Sequence, residues 1–330
     1  MKAAFCFALL WASVLAAGAQ PGALSKLERA TLFGREFVSL DDWARANRCQ
    51  VKWITPRREL QLSGPGCNLL VSADSRKVTL NGIHLWLSTP IVVRDDSAHI
   101  TPADLASTIH PVLWPSKNPV GRKIKTIVLD PGHGGSDPGN QEGRQQEKKY
   151  TLLLARELGE QLTKAGFKVS LTRATDAKLE LAQRPEMAQR RGADLFLSLH
   201  FNSADGPGAA AVRGAEVYCL TPVRASSTND RTSHGGHATF YPGNRFDARN
   251  MALAYQIQRA LVRRGGAEDR GVRRARFEIL REAEMPAVLI EAAFMTNSSD
   301  AKRIYDATSR RALAQAITEG VLAYKNLVEP

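Results

Sequence analysis

Two histidines and two glutamates lie at the ends of predicted structural elements. His133 follows a short apolar run, His200 and Glu291 end two further runs, and Glu147 begins a helical pattern. In α/β enzymes the carboxyl ends of the strands meet at one edge of the sheet, where ligands bind. Two histidines and one carboxylate make a three-ligand zinc set with a fourth position open to water or substrate. The second carboxylate then remains for proton transfer.

The elements that must position these side chains alternate between strands and helices. Predicted strands span residues 126–129, 167–171, 195–199 and 287–290, and predicted helices span residues 147–165 and 250–264, with a last helix around residues 313–324. Another helix, within residues 179–191, begins at Pro185 or is kinked there. This alternation predicts an α/β fold with a mostly parallel sheet flanked by helices.

A different pattern precedes the α/β region. Residues 24–115 contain short alternating strands, and the pair Asn81-Gly82 between two of them is typical of a type I′ hairpin turn. Prolines between residues 111 and 119 mark a boundary, and residues 116–122 are interpreted as a linker. We therefore predict a small β-rich accessory module at residues 24–115 and a catalytic domain at residues 123–328.

Five segments of the α/β region resemble one family in their order and spacing. They are IVLDPGHGGSDPG (127–139), EKK (147–149), LTR (171–173), ADLFLSLHFN (193–202) and MPAVLIEAAFMTN (285–297). The resemblance covers about residues 125–326 and is to the zinc-dependent N-acetylmuramoyl-L-alanine amidases of the amidase-3 type. The accessory module resembles the copper amine oxidase N-terminal-like domain, which is often attached to bacterial cell-wall enzymes.

The amidase resemblance implies a role for each of the four residues. His133, Glu147 and His200 would bind one Zn²⁺ ion, and Glu291 would be the catalytic carboxylate. Glu142 is a rival ligand, but neither a Lys-Lys pair nor a helix start follows it. The implied reaction hydrolyses the amide between N-acetylmuramic acid and the first L-alanine of the peptidoglycan stem peptide. Glu291 would accept a proton from the zinc-activated water and deliver it to the leaving amine.

Motif positions and clustered positive charge indicate the candidate substrate-binding residues. Asn202 matches a family position, as does Arg173, and structural hydrogen bonding is the alternative role for both. Residues 259–281 contain eight arginines against three acidic residues, a net charge of +5. Arg270, Arg273, Arg274 and Arg276 cluster in this segment. We expect some of them, with Arg273 and Arg274 as the named candidates, to bind stem-peptide carboxylates, and a solvated basic face is the alternative.

The amino terminus and the net charge narrow the class of partner. The chain of 330 residues has a formal charge of +12, which suggests an anionic partner. Lys2, an apolar run over residues 3–16 and a small-residue cleavage site predict a signal peptide at residues 1–19. Export to the periplasm, the cell wall or the medium follows, with peptidoglycan as partner, no nucleic acid and no membrane span in the mature chain. A regulatory protein has no sequence signal here.

Two other features of the sequence each have more than one interpretation. Cys49 and Cys67 could form a disulfide in an exported protein or stay as two buried thiols. The irregular segment over residues 223–249 is interpreted as a lip over the substrate, with a plain surface loop and a second zinc site at residues 233–237 as the other readings.

Two other functions compete with the amidase. A catalytically silent wall-binding or activating protein could retain the fold, although it would need none of the four site residues. A zinc peptidase acting within the stem peptide would use the same metal chemistry, so ligand spacing does not exclude it.

Overall fold

A computed structural model of the chain describes residues 24–230 and 238–330. Two predictions fall outside these residues and stay predictions: the signal peptide at residues 1–19 and the second zinc site at residues 233–237. Among the described helices, none combines the length and the apolar character that crossing a membrane requires.

One eleven-stranded sheet runs through both parts of the chain. With strands numbered in chain order, its spatial order is β13 (Lys168–Leu171), β10 (Thr126–Pro131), β14 (Leu195–Asn202), β17 (Ala287–Phe294), β15 (Ala215–Leu220), β16 (Asp269–Ala275), β7 (Ile83–Trp86), β6 (Lys77–Leu80), β5 (Cys67–Ser72), β4 (Glu59–Gly64) and β3 (Gln50–Thr55). The predicted accessory module therefore extends the sheet of the predicted catalytic domain.

Strand direction and burial divide this sheet into two regions. The pairs β13–β10, β10–β14 and β14–β17 are parallel, β15 is antiparallel to β17, and β7 to β3 form an antiparallel meander. Strands β10 and β14 are buried almost throughout, whereas residues of β4 alternate between buried and partly exposed. Helices cover both faces of the first region and only one face of the meander is apolar. The α/β class with flanking helices and a β-rich amino-terminal region is confirmed, and the whole sheet is mixed.

Two smaller sheets and nine α-helices form most of the remaining described structure. One sheet has the order β1 (Ala30–Leu32), β2 (Arg35–Ser39), β9 (Ser97–Ile100) and β8 (Val92–Arg94), and the other is the hairpin of β11 (Gln141–Glu142) and β12 (Gln145–Gln146). The α-helices are α1 (Leu40–Ala46), α2 (Pro102–Asp104), α3 (His110–Leu113), α4 (Glu147–Lys164), α5 (Gln183–Arg190), α6 (Asp247–Arg263), α7 (Glu278–Arg281), α8 (Ser298–Tyr305) and α9 (Ala307–Val328). A π-helical segment, Leu105–Ile109, joins α2 to α3.

Alternate residues of the central strands pack into two apolar clusters on opposite faces of the sheet. Ile127 and Leu129 of β10 pack with α4, α6 and α9 in a large cluster that also contains the inner residues of β4 to β7. Val128 packs on the other face, in a smaller cluster with residues of α5 and α7. His200 and Glu291 alternate with large-cluster residues of their strands, so their side chains lie on the face of the smaller cluster.

The junction between the two regions combines strand pairing with buried polar contacts. Leu85 of β7 lies beside Val272 of β16 in a parallel pair, and both are fully buried. The Tyr255 hydroxyl of α6 donates to the carbonyl of Leu80 at 3.2 Å. The two regions share strand hydrogen bonds and one apolar core at this junction. The accessory region therefore has no separate surface there.

Arg274 occupies this junction and not the cleft. Its side chain is 1% exposed, and Nη2 donates to the Ser107 carbonyl at 2.7 Å and to Oγ1 of Thr108 at 2.9 Å. Neighbouring residues of a strand point to opposite faces, so Arg274 is directed away from the face that Arg273 occupies. The expectation that Arg274 binds substrate carboxylates is therefore replaced by a structural role.

The three cysteines of the described residues are free thiols. Burial, together with the neighbouring Cys49 thiol, raises the pKa of Cys67 to about 12. A high pKa disfavours the thiolate that attacks disulfides. Of the two alternatives for Cys49 and Cys67, the structure has the free thiols.

Arg274→Ala should destabilise the whole chain, because it leaves a cavity and removes the donor that satisfies Ser107 and Thr108. We expect the free energy of unfolding in urea to fall by about 3 kcal/mol. The control is Arg264→Ala, whose side chain is 72% exposed and whose loss should change stability by less than about 0.5 kcal/mol. Equal effects of the two substitutions would contradict the structural role.

Candidate metal centre

The loop that follows β10 is held in a strained conformation by two buried arginines. His133 has a backbone φ of 62°, a left-handed conformation that costs a non-glycine residue roughly 1–2 kcal/mol. Arg173 donates to the carbonyls of Pro131 and Gly132 at 3.0 and 2.8 Å, and Arg184 donates to the carbonyl of His133 at 3.1 Å. Arg173 therefore supports the site through structural hydrogen bonds, which place the His133 imidazole.

The side chain of Glu147 is the point on which the two histidines converge. It begins α4 and is 1% exposed. Its Oε2 lies 3.0 Å from Nε2 of His133, and its Oε1 lies 2.9 Å from Nδ1 of His200. The backbone amides of Asn140 and Phe201 donate to the same carboxylate at 2.9 and 3.1 Å. Ligand atoms of His133, Glu147 and His200 all lie within 4.8 Å of one another, so this group could bind a metal.

Asp137 orients the His133 ring from the opposite side. Its Oδ2 lies 2.8 Å from Nδ1 of His133, and its Oδ1 accepts the backbone amide of Gly139 at 3.0 Å. A carboxylate bound to one ring nitrogen directs the other nitrogen toward a metal and makes it more basic. Asp137 lies four residues after His133, within the same glycine-rich segment.

Electrostatics give the two carboxylates of the site different proton affinities. Burial opposes charge on Glu147, but hydrogen bonds from His133 and His200 hold its pKa well below the ordinary value. Burial also opposes charge on His133, and hydrogen bonds to carboxylates raise the pKa of this residue. Burial, followed by the charges of Glu147 and Glu216, raises the pKa of Glu291 well above its ordinary value. One carboxylate thus keeps its negative charge and the other holds a proton more tightly.

Glu291 lies beside this group in the sheet. In register it faces His200 of β14 on one side and Glu216 of β15 on the other. Its Oε2 is buried and has no hydrogen-bond partner among the described residues. A buried carboxylate oxygen without a partner is costly in a folded protein, and such atoms call for an explanation such as a ligand or an ion.

Two glycines show that the space around the ligand group is kept free of side chains. A Cβ on Gly132 would lie 2.2 Å from Cε1 of His200, and a Cβ on Gly139 would lie 2.6 Å from both Oε2 of Glu147 and Cδ2 of His133. With two imidazoles, one carboxylate and the unpartnered Glu291 oxygen, the residues present fit a zinc ion with an open coordination position. The rival Glu142 lies in the β11–β12 hairpin, outside this group.

An open cleft of about 490 Å³ leads to the group. Polar residues of the site form one part of its lining, and apolar side chains of the segments around α5 and α7 form another, among them Leu181, Phe277 and Ile279. Leu181 and Phe277 are exposed although both are large and apolar. A cleft with apolar walls and a few convergent polar groups is the form that binding sites for organic ligands take.

Asn202 and Arg273, the remaining predicted substrate-binding residues, both contact Glu216, a residue that the sequence analysis does not single out. Nδ2 of Asn202 donates to Oε1 of Glu216 at 2.9 Å, and Nε of Arg273 lies 2.9 Å from Oε2 of Glu216. Arg270 also pairs with Glu216, at 2.9 Å. One sequence signal could have identified Glu216: it is a charged residue within an otherwise uncharged strand, Ala-Glu-Val-Tyr-Cys-Leu.

A mixed α/β sheet with two imidazoles and two carboxylates at a cleft has the features of a metallohydrolase site. Residues 127–323 match the N-acetylmuramoyl-L-alanine amidase family, Amidase_3. Because this match spans more than half of the chain, the protein belongs to that family.

Curated relatives carry the same family name. The chain is 35% identical to the N-acetylmuramoyl-L-alanine amidase LytC of Bacillus subtilis over 208 residues, which cover 63% of this chain and 36% of LytC. It is 34% identical to the N-acetylmuramoyl-L-alanine amidase AmiC of Neisseria meningitidis over 247 residues, which cover 68% of this chain and 58% of AmiC. The chain thus spans between about a third and three fifths of the length of these relatives.

Solved structures agree over the α/β region. An N-acetylmuramoyl-L-alanine amidase from Clostridium difficile 630 aligns with a TM-score of 0.52 at 29% identity, over 62% of this chain and 98% of that chain. The N-acetylmuramoyl-L-alanine amidase AmiC2 of Nostoc punctiforme aligns with a TM-score of 0.51 at 30% identity, over 62% of this chain and 98% of that chain.

Gly139→Ala should weaken zinc binding at least tenfold, because the added Cβ would displace Glu147 and His133. Affinity can be measured by competition with a chromophoric chelator. Gly143→Ala is the matched control: both glycines have positive φ, 65° and 58°, but a Cβ on Gly143 would meet nothing within 4 Å. Backbone strain is therefore common to both variants, and equal zinc affinities in the two would contradict the site.

Proposed function

We propose that the protein is an exported, zinc-dependent N-acetylmuramoyl-L-alanine amidase. Its substrate is peptidoglycan, and the bond hydrolysed joins N-acetylmuramic acid to the L-alanine of the stem peptide. The observation on which this rests is the convergence of His133, Glu147 and His200 beside the unpartnered Oε2 of Glu291, in a chain that belongs to the amidase family.

Three residues hold one Zn²⁺ ion in this proposal: His133, Glu147 and His200. When bound, zinc polarises a carbonyl oxygen and lowers the pKa of water toward about 7. Asp137 keeps the His133 ring in the orientation that directs Nε2 inward. Glu147 brings negative charge, and its hydrogen bonds to backbone amides limit its movement.

Glu291 moves the proton. It accepts a proton from the attacking water and delivers it to the amide nitrogen as that nitrogen leaves, because an amine anion is a very poor leaving group. Burial and the neighbouring carboxylates raise the pKa of Glu291, which suits a group that must both take up and release a proton near neutral pH.

Localisation and domain organisation belong to the same proposal. The signal peptide at residues 1–19 directs the chain out of the cytoplasm, to the periplasm or the cell wall. Residues 24–115 form the accessory module and residues 123–328 the catalytic domain, joined by residues 116–122. Cell-wall amidase relatives, such as the probable cell wall amidase LytH of Staphylococcus aureus at 33% identity, are consistent with this location.

Digestion of purified sacculi tests the proposal. Zinc-loaded protein should release free stem peptides that begin with L-alanine and leave the glycan strands intact, and a chelator should abolish this release. Mass spectrometry identifies the products. Fragments cut inside the peptide would instead favour the zinc peptidase, and no product from the zinc-loaded wild type would favour the wall-binding protein.

Glu291→Gln should lower the rate of peptide release by between about 10²- and 10⁴-fold, because it removes the proton acceptor. Zinc affinity should change little, since Glu291 is not among the three ligands. Glu282→Gln, at an exposed position just after α7, is the control and should keep wild-type activity. Unchanged activity in Glu291→Gln would contradict its role.

A further inference from the structure

Glu216 organises a cluster of polar side chains that neither binds the metal nor transfers the proton in the proposed chemistry. It lies on β15 and is 2% exposed. Its Oε1 accepts from Nδ2 of Asn202 at 2.9 Å and from the hydroxyl of Tyr218 at 2.8 Å. Its Oε2 accepts from Nε of Arg270 at 2.9 Å and forms an ion pair with Arg273 at the same distance. Both carboxylate oxygens are therefore fully engaged.

The guanidinium group of each arginine also lies over an aromatic ring. The Arg270 guanidinium carbon lies 4.7 Å from the centre of the Phe294 ring, and that of Arg273 lies 4.9 Å from the centre of the Trp86 ring. Stacking of this kind restricts a guanidinium and leaves its edge free. Trp86 also donates its Nε1 to the Arg270 carbonyl at 3.1 Å, so it contacts both arginines.

The outer edges of the guanidinium groups remain available. Within residues 24–230 and 238–330, Nη1 and Nη2 of Arg270 have no hydrogen-bond partner, and Nη1 of Arg273 reaches only Asn229, at 3.3 Å. The side chain of Arg270 is 27% exposed and that of Arg273 is 13% exposed. The cluster itself contains two positive charges and one negative charge. Arginines with free edges bind carboxylates in a bidentate manner.

The cluster lies on the sheet face that bears the candidate active site. Glu216 is directly opposite Glu291 in the antiparallel β15–β17 pair, where such residues have Cα atoms about 4.5–5.5 Å apart. Asn202 follows His200 by two residues on β14, on the same face of that strand. A substrate bound at Glu291 therefore extends toward the arginines if it runs across the strands.

We propose that Arg270 and Arg273 form a subsite for a carboxylate of the substrate's peptide chain. Glu216 is a positioning residue that holds Arg270 by a hydrogen bond to Nε and Arg273 by an ion pair. Trp86, from the accessory region, lies under the Arg273 guanidinium. This inference rests on the proposed amidase function, because it names the part of the substrate that the second site binds. It also makes residues 24–115 part of substrate recognition.

Two synthetic muramoyl peptides test the subsite. One has free carboxylates along its peptide, and in the other every peptide carboxylate is a primary amide. The zinc-loaded wild type should cleave the free acid with a kcat/KM roughly 10- to 100-fold higher, the range expected for a charge-assisted contact. Arg270→Gln and Arg273→Gln should each reduce this ratio toward one. Arg213→Gln is the matched control, an exposed arginine paired with Glu268, and should keep the wild-type ratio.

The binding step can be measured without turnover. In the zinc-loaded Glu291→Gln background, calorimetric titration should show the same preference for the free acid, and addition of Arg273→Gln should remove it. If the wild type cleaves both peptides at equal rates, the subsite is overturned while the amidase function stands. If it cleaves neither peptide and releases nothing from sacculi, the proposed function fails instead.

Variants of Trp86 and Glu216 distinguish a role in positioning the arginines from a role in folding. Trp86→Phe keeps an aromatic face for Arg273 and should retain most of the preference, whereas Trp86→Leu should lose much of it with a normal unfolding transition. Glu216→Gln keeps the shape but loses the charge that fixes both arginines, so it should raise KM for the free acid more than it lowers kcat. A preference unchanged in Trp86→Leu and Glu216→Gln would contradict their positioning role.

Discussion

The structure of the site depends on one buried negative charge. Glu147 is taken out of water at the start of α4, which is costly for a carboxylate unless it is fully hydrogen-bonded. Two imidazoles and two backbone amides meet this requirement. Because those partners come from the loop after β10 and from β14, satisfying Glu147 brings these two segments to the start of α4. The strained backbone of His133 persists since buried arginines hold its loop.

Continuity of the sheet links this site to the amino-terminal part of the chain. β7 pairs with β16, and β16 bears Arg270 and Arg273 toward the site and Arg274 away from it. Domains connected only by a linker would move relative to each other, whereas strands that share hydrogen bonds and a core do not. An accessory region attached in this way can therefore contribute side chains to a site with fixed geometry.

Much of the fold and the candidate site could be predicted from the sequence because the signals are local. Buried strands appear as short apolar runs, and His133, His200 and Glu291 directly follow or end such runs. The prediction that Arg274 binds substrate was wrong because it rested on the positive charge of the segment alone. Side chains alternate along a strand, so Arg273 and Arg274 point to opposite faces of the sheet. Glu216 was missed because its partners come from β14 and β16, far away in sequence.

Local sequence patterns specify the α/β class, the order of the elements and the residue types available for metal and proton chemistry. These follow from periodicity and from positions next to strand ends, which depend only on neighbouring residues. The tertiary structure decided which residues meet: the partner of each histidine, the pairing of β7 with β16, and the arginines that Glu216 holds. Such contacts depend on strand order and register, and the chain's local pattern contains neither.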